Sequence, residues 1–98
     1  MRVLLIAAAA LIAAPALAQS APAPTRATLS DAGRAPAAAT IIDGANWRCD
    51  GVECVATGGA NQPAARACRR VVQRFGPVSA FAWKGVELSA EQLAACNA

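Results

Sequence analysis

The stretch Trp47-Arg48-Cys49-Asp50-Gly51-Val52-Glu53-Cys54 decides how the rest of the chain is read. An Asp-Gly pair between two short runs of strand-forming residues is a hairpin signal. With Asp50-Gly51 as a two-residue turn, Cys49 opposes Val52, Arg48 opposes Glu53 and Trp47 opposes Cys54. Opposed residues share a face, so Trp47, Cys49, Val52 and Cys54 point one way, and Arg48 and Glu53 form an ion pair on the other. In that register Cys49 and Cys54 are diagonal neighbours roughly 7–8 Å apart, too far to bridge without distortion. A four-residue loop would instead place them opposite each other and permit a disulfide. The turn type decides the connectivity. With the two-residue turn both cysteines reach toward helices, and the preferred pairing is Cys54–Cys68 with Cys49–Cys96.

Downstream of the hairpin, Thr57-Gly58-Gly59-Ala60-Asn61-Gln62-Pro63 is a loop. It leads to a helix whose first turn contains Pro63, with Asn61 or Gln62 as its cap. Ala64, Ala65, Cys68, Val71, Val72 and Phe75 recur at helical spacing, and Gly76-Pro77 ends the run. Val78 to Trp83 follows as a short strand, Lys84-Gly85 turns, and Val86 to Leu88 pairs back briefly. Ser89 opens a last helix: Ser89 and Gln92 form a capping box, Leu88 and Leu93 a hydrophobic staple, and Cys96 shares a face with Leu93.

The N-terminal part is different in kind. A single positive charge, Arg2, precedes an apolar run from Val3 to Ala14, broken by Pro15 and followed by Ala16-Leu17-Ala18. This is a secretory signal peptide spanning residues 1–18, with cleavage expected between Ala18 and Gln19. The run is too short for a membrane span, and none is expected after signal removal. Residues 19–39 are Ala/Pro-rich and, apart from Leu29, hold little large apolar surface; they read as a flexible tether. Arg26 to Leu29 is the one place there where a short strand could form.

The folded part is therefore expected at residues 40–98: a small disulfide-stabilised α+β domain, β-hairpin then helix, short strand and C-terminal helix (β-β-α-β-α). So small a domain buries only about 60% of its unfolded surface. Two disulfides would offset that deficit, and in an exported chain four cysteines are the expected source of them. The pairs are not spaced as zinc ligands, so no metal is expected.

Of the 98 residues nine are basic, six acidic and none is histidine or tyrosine; mean hydropathy is +0.37. Loss of Arg2 with the signal leaves eight basic against six acidic residues, a formal charge of +2. The missing histidine removes triad chemistry, and the carboxylates are scattered over turns and polar faces. No catalytic residues and no cofactor are assigned, and an enzyme is not expected. A Cys49/Cys54 redox couple is disfavoured because the pair straddles a hairpin, away from any helix dipole. Arg66, Arg69, Arg70 and Arg74 line one side of the helix and are the candidate anion-binding residues. No aromatic is interleaved with them, which disfavours nucleic acid.

The pattern Trp47-x-Cys49-x-Gly51-x-x-Cys54, then Cys68, Gly76-Pro77-Val78-x-Ala80-Phe81, then Leu88-Ser89-Ala90-x-x-Leu93-Ala94-x-Cys96-Asn97 resembles a family of small exported four-cysteine bacterial proteins of unknown function. The resemblance runs from Trp47 to Asn97. It implies an exported, disulfide-bearing domain and no assigned activity. The expectation for function is a non-enzymatic structural or interaction module of the cell envelope, periplasmic or extracellular. Its partner would be an envelope protein or an anionic envelope surface. The alternatives are an anion-binding module using the arginine face and, last, a thiol–disulfide protein.

Overall fold

The computed structural model describes residues 22–98, so the expected signal peptide and its cleavage site at Ala18/Gln19 lie outside the described residues. Three hairpins account for most of the sheet, each closed by a two-residue loop of defined handedness. Strand β2 (Thr40–Ile42) turns through Asp43-Gly44 into β3 (Ala45–Asp50). The positive φ angles of 50° and 81° at the two loop residues are those of a type I′ turn, which matches the twist of the flanking strands. Strand β3 turns through Gly51-Val52 into β4 (Glu53–Gly58). Strand β5 (Val78–Trp83) turns through Lys84-Gly85 into β6 (Val86–Glu87), again with both loop φ angles positive.

The central hairpin corrects the expected register. Its loop is Gly51-Val52, not Asp50-Gly51, so Asp50 opposes Glu53 and Cys49 opposes Cys54. Gly51, at φ 64°, takes the first loop position, the place a type II′ turn reserves for glycine, and leaves Val52 where a β-branched residue is tolerated. The faces survive the correction because pairing moved by two residues, a whole period of the strand. Trp47, Cys49 and Cys54 still point together, with Trp47 and Cys54 fully buried and Cys49 half-buried. The expected Arg48–Glu53 ion pair is absent among the described residues: Arg48 opposes Val55, and Glu53 accepts a hydrogen bond from Thr28 Oγ1 at 3.1 Å.

The expected tether is corrected as well. Residues Arg26–Leu29 form β1, which lies in the middle of an antiparallel six-stranded sheet of order β2-β3-β4-β1-β5-β6. Ala27 sits between Cys54 on one side and Phe81 on the other, and Ala27 and Leu29 are both buried. The chain then makes a 3-10 turn at Ala32–Arg34, with the Asp31 carboxylate accepting from the Gly33 N–H at 2.9 Å. The folded unit thus begins well before Thr40. The α+β arrangement with two disulfides holds: β6 is the brief return pairing expected from Val86, β1 is the short strand allowed for at Arg26 to Leu29, and β2 is the β-branched run Thr40–Ile42.

Helix α1 (Ala64–Phe75) and helix α2 (Ala90–Asn97) both pack on the sheet face that carries Trp47, Cys54 and Phe81. From α1 the buried residues are Ala64, Ala67, Cys68, Val71 and Phe75, so Ala67 takes the place expected of Ala65. Pro63 stands at the cap position itself and no side chain caps the helix; Gln62 is used elsewhere. Trp47 is the centre of the core, edge-on to Phe75 with ring centroids 6.2 Å apart and tilted against Phe81 at the same distance. The Ser89/Gln92 capping box forms as expected. At the other end of α2 the Asn97 amide accepts from the Val78 N–H (2.9 Å) and donates to the Val78 carbonyl (2.8 Å), fixing the helix to the start of β5.

The disulfides are Cys49–Cys54 and Cys68–Cys96, which overturns the preferred pairing. The physical reason is the register: directly opposed residues of an antiparallel pair come within bridging distance, and these Cα atoms are 4.0 Å apart. Cys68 and Cys96, buried on facing helices with Cα atoms 6.0 Å apart, are then left to each other.

Candidate functional site

The four arginines expected to line α1 do so, and all four are exposed. Helical spacing explains this, since positions i, i+3, i+4 and i+8 fall on the side opposite Cys68 and Val71. They are not equivalent. The Arg70 guanidinium grips Asp43, with Nε and Nη2 donating to the carboxylate at 3.2–3.3 Å, and Gln62 Nε2 donates to the same carboxylate at 3.2 Å. The Arg70 hydrogen bonds first, and that of Gln62 second, hold the Asp43 carboxyl below its usual range. Asp43 reaches this position because the β2–β3 turn lies beside the helix, and its own carbonyl accepts the Ala60 N–H at 2.9 Å. Arg66 joins Asp43, Asn61, Gln62 and Arg70 around a shallow hollow of about 510 Å³.

Sequence reasoning missed a fifth member. Arg34, in the 3-10 turn, crosses to the C-terminal end of α1, where its Nη2 lies 3.4 Å from the Arg74 carbonyl and its side chain covers Gly76. A cation there complements the negative end of the helix dipole. No local signal could have revealed it, because Arg34 and Arg74 are 40 residues apart. The ion pairs among the described residues are Arg70–Asp43 and Arg26–Glu87. Arg34, Arg66, Arg69 and Arg74 have no such partner there, and residues 1–21 contain no acidic side chain to supply one. The result is a cationic ridge running the length of α1, about 18 Å at 1.5 Å per residue.

Among the described residues no helix covers the other face of the sheet. Arg26 crosses it, with Nη1 donating to the Ala23 carbonyl at 2.9 Å and Nη2 3.6 Å from the Glu87 carboxylate. Ile41, Val55 and Val86 are exposed large apolar residues of the strands. Both disulfides are closed and no free cysteine exists among the described residues. No helix of the described residues is long and apolar enough to cross a membrane.

A six-stranded antiparallel sheet covered on one side by two disulfide-linked helices, with a cationic outer ridge, defines a small disulfide-stapled α+β protein. The chain belongs to the family of unknown function DUF8200, which it matches over residues 7–98. No curated protein and no solved structure matches the chain.

Proposed function

We propose that this protein is an exported, non-enzymatic interaction module of the bacterial cell envelope that docks on anionic surfaces through the α1 ridge. The observation that carries this reading is the set of exposed arginines, Arg34, Arg66, Arg69 and Arg74, without an ion-pair partner among the described residues. Unneutralised guanidinium groups on α1 and on the turn that meets its C-terminal end present their charge together to phosphates, each contributing about 1 kcal/mol at an anionic membrane surface. The apolar segment from Val3 to Ala14 supports export, as do four cysteines all engaged in disulfides. The non-enzymatic part of the reading rests on the absence of histidine and tyrosine from the whole chain.

The test is binding to vesicles containing phosphatidylglycerol, with phosphatidylcholine vesicles as control. Affinity should fall steeply with salt, and replacing Arg34, Arg66, Arg69 and Arg74 with Gln should weaken it by about a thousandfold. Asp43→Asn should tighten binding, because it releases Arg70. Equal binding to both vesicle types, or binding indifferent to salt, would overturn the proposal.

A further inference from the structure

The open face of the sheet contains a hollow that the length of β1 creates. Strands β4 and β5 each run six residues, but β1 between them has only four and pairs with β4 no further than Val55. Before Arg26 the chain departs from the ladder. Pro24 has no N–H to donate, its carbonyl accepts the Gly85 N–H at 2.9 Å, and the Thr25 carbonyl accepts the Ala56 N–H at 3.0 Å. Beyond these bonds Thr57 and Gly58 have no β1 residue beside them, and a space of about 550 Å³ opens against Ala23, Pro24, Val55 and Thr57. That volume lies within the range of small-molecule sites. Among the described residues its lining is largely apolar, with one charged side chain, Lys84, and no carboxylate.

Lys84 is the second observation. It occupies the first position of a type I′ turn at φ 49°, where Asn, Asp or Gly is the favoured residue; the corresponding position of the β2–β3 turn is held by Asp43. A residue kept in a left-handed conformation against its own preference points to a role for its side chain. The backbone beneath it is tied down: the Lys84 N–H donates to Oγ1 of Thr25, a buried hydroxyl, at 3.0 Å. Among the described residues its ammonium reaches one acceptor, Asn61 Oδ1, at 3.4 Å, and no carboxylate. The neighbouring Arg26 is already committed to Glu87 and the Ala23 carbonyl.

We propose that this hollow binds a single-chain amphiphile carrying one anionic head. The chain lies against Val55, Pro24 and Ala23, and the head is held by the Lys84 ammonium. Charge complementarity selects the head and the apolar floor selects the tail. None of the α1 arginines lines this hollow, although the Lys84 ammonium meets Asn61, which borders the hollow beside Arg66 and Arg70.

The experiment is an NMR titration of the oxidised chain with decanoate, decyl phosphate and decanol, following the Val55 and Thr57 amides. Decanoate or decyl phosphate should shift both amides, and the tighter of the two identifies the head as carboxylate or phosphate. Lys84→Asn, which suits the turn and so preserves the fold, should weaken the anionic ligands by about tenfold and leave decanol unchanged. Val55→Asp should abolish binding of all three, and Gln at Arg66, Arg69 and Arg74 should leave it intact, which separates this site from the ridge. Absence of shifts at about 1 mM ligand would overturn the proposal. So would decanol binding as tightly as the anions, or Lys84→Asn without effect.

Discussion

Removing the two disulfides one at a time should produce unequal losses of stability, and the inequality follows from where each one closes the chain. Cys68 and Cys96 are 28 residues apart, Cys49 and Cys54 only 5. The loop-closure relation gives about 3.6 kcal/mol for the longer loop and about 2.1 kcal/mol for the shorter. Two further effects widen the gap. The Cys49–Cys54 bond joins residues that the β3–β4 ladder already holds opposite each other, and a hairpin that partly persists in the unfolded chain lessens what the bond adds. The Cys68–Cys96 bond joins two helices that share no ladder, and both of its sulfurs are buried, so alanine leaves a void as well. Urea denaturation of Cys49→Ala/Cys54→Ala and Cys68→Ala/Cys96→Ala, followed by fluorescence of the buried Trp47 and Trp83, measures both. The helix-linking variant should lose at least about 1.5 kcal/mol more than the hairpin variant. Equal losses, or a larger loss from the hairpin pair, would refute the reasoning, as would peptide mapping that pairs Cys54 with Cys68.

Three other expectations concern single residues. Gly59→Ala should destabilise the fold by about 2–4 kcal/mol, because a Cβ there would meet the buried Trp83 ring at 2.7 Å and φ is 107°; a thermal midpoint within about a degree of wild type would contradict this. Asp43→Asn keeps a residue suited to the turn but removes the carboxylate held by Arg70. A carboxyl whose folded-state pKa is depressed stabilises above its unfolded value, near 3.8, and loses that contribution as pH falls through the folded value. The wild type should therefore exceed the variant at neutral pH and converge with it in acid, as read from urea midpoints across that range; a difference that grows on acidification would contradict the sign. Lys84→Asn should stabilise by roughly 0.5–1 kcal/mol, since asparagine tolerates the left-handed turn position better than lysine, and calorimetry would show a raised midpoint.

The local signals in this chain were legible, and the long-range ones were not. The spacing of Cys68, Val71 and Phe75 marked α1, its arginines marked the outer face, and Ser89 with Gln92 marked the start of α2. Each of these rests on residues three or four apart, whose relation the helix itself sets. The faces of the β3–β4 hairpin were equally readable, because alternation survives any even shift of register. Of the candidate site, the α1 arginines were visible for the same reason, but neither Arg34 nor the capture of Arg70 by Asp43 was.

What tertiary structure alone decided was the placement of short segments with little surface of their own. Strand β1 buries one alanine and one leucine, too little to order an isolated segment, and forms only because β4 and β5 offer it backbone partners on both sides. Its position joins the two halves of the sheet, and its shortness opens the hollow beside Lys84. The disulfide pairing likewise followed from one turn: the choice between Asp50-Gly51 and Gly51-Val52 differs by a single residue in sequence, yet it determines which cysteines meet. By itself the sequence determined that four cysteines would close a small α+β core around Trp47. Which strand completes that core, and which sulfurs pair, depended on contacts between residues far apart in the chain or on a register that alternation alone leaves open.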